Sequence, residues 1–286
     1  MVTGIIDVGG GYRDIFGAGV LDGVLKAQLN FDHCYGISAG SGNLTSFLAG
    51  QYKRNYRFYM EYAFRHRYAS MRNLLTTHNF VGLDYAYGTL SNSDGEYPLN
   101  YEAFARNTSS FTVIASNALT GQPHYFSKDD MHQDDYSIIM ASSCVPVANK
   151  PVEIDGVPYF DGGLTDPVPV QRAFDDGCDM VVLITTHPDD FVRDPHKDVA
   201  PARVLQRFYP HAAEALRNRA ETYNDEMMVA RRYAAQGKLL IISPDDTYGL
   251  DTLSKTRQGL LNMYDDGVRK AQKIQQFLES ATSNDK

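Results

Sequence analysis

The chain has 286 residues, 43% of them hydrophobic and 22% charged, with a formal net charge of −8. That length can bury a large α/β core, and the acidic balance argues against nucleic acid as a partner. Cys34, Cys144 and Cys178 are too few and too scattered for a disulfide framework or a zinc site, and no apolar run approaches the length of a membrane span.

Gly4 to Val8 is a short apolar run that stops at glycines, and it reads as a first buried strand. Gly9, Gly10 and Gly11 follow at once, then Tyr12, Arg13 and Asp14. Phe16, Val20, Leu21, Val24, Leu25 and Leu29 recur at helical spacing, which predicts a helix over 15–29. A glycine loop between strand and helix can turn backbone N–H groups toward a ligand. A dinucleotide fingerprint fails here, because it needs a small residue where Asp14 or Asp22 stands. Two readings remain, an oxyanion cradle or a tight turn without a ligand. Arg13 either supports the loop or lies on the surface.

Phe31 to Tyr35 reads as a second strand. It enters Gly36-Ile37-Ser38-Ala39-Gly40, which fits G-x-S-x-G. That spacing suits a nucleophilic serine on a sharp strand-to-helix turn, with Gly36 and Gly40 clearing its flanks. The following helix, expected over 39–52, aims unpaired N–H groups and its positive dipole end at Ser38. On the pentapeptide alone, nucleophile and helix cap are equal readings. The β-α-β-α order predicts a parallel sheet whose strand ends open on one edge, which puts the Gly9–Gly11 loop beside Ser38.

Residues 54–75 are aromatic and basic and read as helix plus connection. An amphipathic helix covering the sheet is favoured over a lipid-facing cap built from Arg54–Arg72. Residues 76–100 read as a long loop region near the site mouth. Phe111 to Ala118 is a strand that turns at Gly121-Gln122-Pro123 into His124 to Ser127. Asp135 to Ser143 reads as a helix. Asp155-Gly156 marks a two-residue hairpin between 151–154 and 158–160. Its second strand runs into Asp161-Gly162-Gly163, either a carboxylate with cleared surroundings or an ordinary turn aspartate. A helix over 170–175, a buried strand over 180–186, a polar loop over 188–201, one or two helices over 202–235, a strand over 238–243 and a closing helix over 255–280 complete the chain. A frayed polar tail is expected after them. No linker divides the sequence, so one domain is expected, with the helical part from about 200 to 280 packed on it. The N-terminus lacks the basic and apolar regions of a signal peptide, and the expected location is cytoplasmic.

GGGYR at Gly9–Arg13, GISAG at Gly36–Gly40 and DGG at Asp161–Gly163 occur in the order and context of patatin-like phospholipases, and ASSCVPV and DGVPYFDGGLTDPVPV also look like that family. The chain resembles its bacterial cytosolic branch over nearly the whole length. The resemblance implies a three-layer α/β/α fold with a mostly parallel central sheet. It also implies a serine hydrolase of lipid acyl esters, of the phospholipase or lysophospholipase type. Ser38 would be the nucleophile and Asp161 its base, in a dyad without histidine. Gly9, Gly10 and Gly11, with Arg13 beside them, would form the oxyanion loop. No metal or cofactor is implied. A lipid or acyl-ester substrate and a transient membrane-surface contact are implied, and the oligomeric state stays open. Two departures stand out: Asp14 where the family usually carries glycine, and Val8 before the glycines where it is often acidic or polar. Asp14 could crowd or charge the loop, and the sequence leaves open whether it impairs it. Two other readings are weighed: an α/β-hydrolase triad of Ser38, Asp161 and His187, and a lipid-binding module that has lost catalysis.

Overall fold

The computed structural model describes residues 1–284. Eight strands form one mixed, mostly parallel sheet: β1 (Thr3–Asp7), β2 (His33–Ile37), β3 (Ser110–Asn117), β4 (Pro123–Ser127), β5 (Val152–Ile154), β6 (Val157–Asp161), β7 (Met180–Ile184) and β8 (Leu239–Ile242). The parallel part runs β3-β2-β1-β7-β8, and β4, β5 and β6 add antiparallel pairs. Both faces are covered, which is why β7 is apolar at every position. Val182 and Ile184 point into the core beneath α1 (Ile15–Lys26) and α2 (Ala39–Leu48). Val181 and Leu183 point to the opposite core, under the long helix Pro210–Ala235. The α/β/α arrangement expected from the resemblance is present.

Two registers position the site. In the first, Asp7 at the end of β1 lies opposite Gly36 in β2, so the loop after β1 and the turn after β2 leave the sheet side by side. The second involves β3. Strand β4 occupies one edge of β3 across Thr112–Ser116, and β2 occupies the other as far as Ile114. β6 overlaps β4 along β3 and must therefore pair on the β2 edge. β2 ends with Ile37 opposite Ile114, and β6 ends with Asp161 opposite Ala115. The two strands thus meet head to head on one edge. The hairpin feeding β6 turns at Asp155-Gly156, with φ of 51° and 76° at the two positions, as a primed two-residue turn requires.

Some boundaries differ from the sequence reading. β2 continues to Ile37 because Gly36 pairs on both sides within the sheet. α1 stops at Lys26, where Gln28 takes a left-handed φ of 55°, and α2 stops at Leu48 before Gly50 at φ 66°. The stretch expected as loop over 76–100 holds a π-helix at Asp84–Thr89, and 188–201 holds the turn Pro195–Asp198 and the start of helix Val199–Leu205. The closing helix is two, Arg257–Lys270 and Gln272–Asn284. The second occupies part of the stretch expected to fray, and 285 and 286 lie outside the described residues. Among the described residues no helix is long and apolar enough to cross a membrane.

Candidate active site

Ser38 sits at the bend between β2 and α2 with φ 54° and ψ −130°, a conformation an L-residue holds only when its surroundings force it. Those surroundings are close backbones. A Cβ on Gly36 would lie 2.5 Å from Ser41 Cα, and one on Gly40 would lie 2.3 Å from Asp7 O. The glycines let the start of α2 press against both strands. The bend is also pinned by hydrogen bonds: Ser38 N donates to Ser142 Oγ (2.8 Å), and Ser41 Oγ donates to Ser38 O (2.6 Å).

Asp161 ends β6 and is buried. Its N–H donates to Cys144 O (2.8 Å), its Oδ1 accepts from Gly163 N (2.8 Å), and its O accepts from Ser116 Oγ (2.8 Å). Burial raises its pKa above the ordinary carboxylate value, opposed by the charge of Arg219, the Ser38 hydroxyl and the Gly163 N–H. Ser38 is near enough to stabilise the carboxylate, though the contact is looser than a formed hydrogen bond. Such contacts tighten when substrate enters.

The glycine loop adopts φ of 69°, 135° and 61° at Gly9, Gly10 and Gly11. Gly9 N is committed to Asp7 Oδ1 (3.2 Å), and Gly9 O accepts from Thr186 Oγ1 (2.7 Å). The N–H groups of Gly10 and Gly11 find no partner among the described residues. Arg13 is buried and points away along the C-terminal segment, donating to Asp251 Oδ1 (2.6 Å) and Thr252 Oγ1 (3.3 Å). It braces the loop against Thr252, whose carbonyl also accepts from Tyr12 N (3.3 Å).

Asp14 does not crowd the loop. Its side chain turns into the core beneath α2, where Asn43 Nδ2 donates to its Oδ2 (2.9 Å) and Asp7 is its acidic neighbour. His187 lines the same cleft as Ser38 and Asp161 but hydrogen-bonds to neither through its ring. It stacks on Phe191 (centroids 3.7 Å, 5°), and burial with the nearby Arg13 and Arg193 charges pushes its pKa down to about 3. In the basic stretch, Arg54 is buried and donates to Ser91 Oγ (2.9 Å) and Tyr97 O (3.0 Å), and Arg65 pairs with Glu96. These arginines serve the fold.

Two cavities meet at Ser38. One is a cleft of about 220 Å³ with mixed walls: Arg13, Asp161, Arg193 and Arg219 on the polar side, Val145 and Leu164 on the apolar side. The other is a narrow apolar extension of about 40 Å³ between Tyr12, Tyr68, Val81, Leu83 and Tyr87. Sequence reasoning missed Arg193, Arg219 and Thr252. Arg219 did leave a signal. It falls on the stripe of Leu216, Ala220, Tyr223 and Met227, which the helix buries, so a guanidinium stands where the helical period calls for an apolar side chain.

Residues 8–174 match the family model described as patatin-like phospholipase, and residues 209–280 match a domain of unknown function (DUF6363). The uncharacterized protein YjjU of Escherichia coli (strain K12) is 32% identical over 192 residues, which cover 65% of this chain and 52% of YjjU. The chain spans about half the length of that curated relative. The crystal structure of VipD from Legionella pneumophila aligns with a TM-score of 0.49 at 12% identity, covering 98% of this chain and 67% of VipD.

Proposed function

The chain belongs to the patatin-like phospholipase family of lipid acyl hydrolases, and on that premise we propose that it cleaves acyl esters with Ser38 as nucleophile and Asp161 as general base. The observation that carries this reading is the convergence of three features: a strained serine, a buried carboxylate of raised pKa beside it, and two unpartnered N–H groups on the neighbouring loop.

A serine hydroxyl attacks an ester only if a base takes its proton. Asp161 accepts that proton as Ser38 Oγ adds to the ester carbonyl, and its raised pKa makes it a better base than an exposed aspartate. The negative charge that forms on the carbonyl oxygen is held by Gly10 N and Gly11 N, donors fixed before the reaction. Collapse expels the alcohol, which takes the proton from Asp161, and leaves an acyl-Ser38 ester. Water, deprotonated by Asp161, then attacks that ester, and Ser38 Oγ leaves with the proton from Asp161 as the carboxylic acid is released. Gly9 shapes the loop rather than donating, because its N–H is already engaged. Arg13 holds the loop through Asp251 and Thr252. The patatin-like part and the helices after residue 200 act as one unit.

A fluorophosphonate probe tests the reading. Intact protein is expected to label covalently at one site and to hydrolyse acyl esters with a chelator present, while Ser38→Ala does neither. Folded protein that fails to label would return the chain to a binding role.

A further inference from the structure

Among the described residues, Arg219 is the one arginine lining the cleft that makes no ion pair. Arg13 is paired with Asp251 (2.6 Å), and Arg193 is paired with Asp198 through its Nη2 (3.1 Å). Among the described residues, no carboxylate lies within ion-pair distance of Arg219. Its Nε donates to Gly163 O (2.6 Å), and its two Nη groups find no acceptor among the described residues. Burial and the Arg193 charge push its pKa down to about 10, so it remains a cation at neutral pH. A half-buried guanidinium facing a second one is held at a cost unless an anion joins it. Asp161 is the negative charge that acts most strongly on it, and that carboxyl is neutral whenever it holds the Ser38 proton.

The two cavities divide the substrate. Ser38 lies where the aromatic extension meets the cleft that holds the arginines, so an ester at Ser38 can place its acyl chain against apolar walls and its alcohol toward Arg219. We propose that Arg219, backed by Arg193, binds a phosphate on the alcohol side of the ester, and that it thereby sets a preference for acyl esters of phosphorylated alcohols over neutral esters. This rests on the hydrolase reading above. Both arginines lie outside the residues matched to the patatin-like model, and Arg219 lies within 209–280. The domain of unknown function therefore supplies substrate recognition to the neighbouring catalytic unit. A guanidinium suits the task because its fork meets two phosphate oxygens at once.

The test compares one short acyl chain on three alcohols: glycerol, glycerol 3-phosphate and glycerophosphocholine. Intact protein is expected to favour both phosphate-bearing esters by kcat/KM, with the difference carried by KM. Arg219→Gln is expected to shrink that preference by about 10- to 100-fold, the size expected for losing a charged hydrogen-bonding partner. Arg219→Lys restores part of it. A preference for the monoester alone would mark the ligand as a dianionic phosphate, and an equal preference would mark the shared phosphate oxygens. Either supports the subsite. Equal use of all three esters by intact protein would overturn it. So would an equal loss on every ester in Arg219→Gln, the result expected if Arg219 only holds Gly163. Calorimetry with glycerol 3-phosphate on Ser38→Ala, with and without Arg219→Gln, reads the subsite without catalysis. Binding that depends on Arg219, in a protein that neither labels nor hydrolyses, would sink the hydrolase reading and leave the subsite standing.

Discussion

Asp7 and Asp14 give a measurable pH signature. Both are buried, and among the described residues no cation lies within ion-pair distance of either. Their oxygens converge: a Cβ placed on Gly17 would lie 2.5 Å from Asp14 Oδ1 and 2.6 Å from Asp7 Oδ2. The available donors, Gly9 N and Asn43 Nδ2, stabilise one negative charge and not two. Burial raises both carboxyls. Asp7 moves up to about 6, and Asp14, beside the Asp7 charge, goes well above its ordinary value. Burial and the neighbouring Asp7 charge thus favour a proton on Asp14, shared with Asp7. An acid whose folded pKa is raised stabilises the fold fully below its unfolded pKa, near 3.8, and loses that stability as pH rises toward the folded value. One retained proton is worth about 1.4 kcal/mol per pH unit. Asp14→Asn keeps an N–H donor to Asp7 and an acceptor for Asn43 but has no proton to lose. Relative to intact protein, the variant is expected to gain stability as pH rises from 5 to 7, by up to about 1.4 kcal/mol per pH unit. Urea unfolding followed by circular dichroism measures this, since the chain has no tryptophan. The pH slope from the Glu226–Asp166 carboxyl pair is common to both proteins and cancels. A stability difference that stays constant across this range would mean Asp14 is ionised, and the shared-proton account would fail.

Three further outcomes are expected. Ser38→Ala and Asp161→Asn each lower ester hydrolysis by about 10³-fold or more while the far-ultraviolet spectrum is kept; a near-normal rate in either variant would refute the assigned roles. The pH profile of kcat/KM shows a single acid limb, above the ordinary aspartate value because burial raises Asp161, and activity grows as that carboxyl ionises. His187→Ala preserves this limb and costs less than about 5-fold, whereas a triad histidine would cost about 10⁴-fold. Gly11→Ala places a Cβ 2.1 Å from Thr252 O at a φ of 61°, so a lower melting temperature, a loss of about 1–3 kcal/mol and a fall in kcat are expected together; an unchanged kcat would remove Gly11 N from the oxyanion site.

Much of the framework could be read from local chemistry. The strand, glycine loop and helix at the N-terminus follow from a few residues each, and Asp155-Gly156 announced its hairpin because both positions demand positive φ. Ser38, Asp161 and the Gly9–Gly11 loop border connected space, as the spacing of three motifs implied. What escaped was long-range. Arg219 and Thr252 reach the cleft only because the C-terminal helices pack back over the sheet, and no local pattern encodes that closure. The place of Asp14 stayed open for a similar reason. In the sequence it adjoins the glycine loop, but the short turn Gly11–Asp14 swings its side chain under α2. Short helices such as Met71–Thr77 offer too few periods to stand out from loop.

The abutting ends of β2 and β6 on a common edge of β3 make the ladder a ruler for the chemistry. A slip of β6 by one residue would carry the carboxylate about 3.3 Å along the edge and turn it through the sheet. The spacing between hydroxyl and acid is thus quantised: it can be kept or lost, but not adjusted in small steps. Walls made of loops and helices are free of that constraint, so this architecture can trade one acyl ester for another at its rim while the reacting pair stays fixed in gauge.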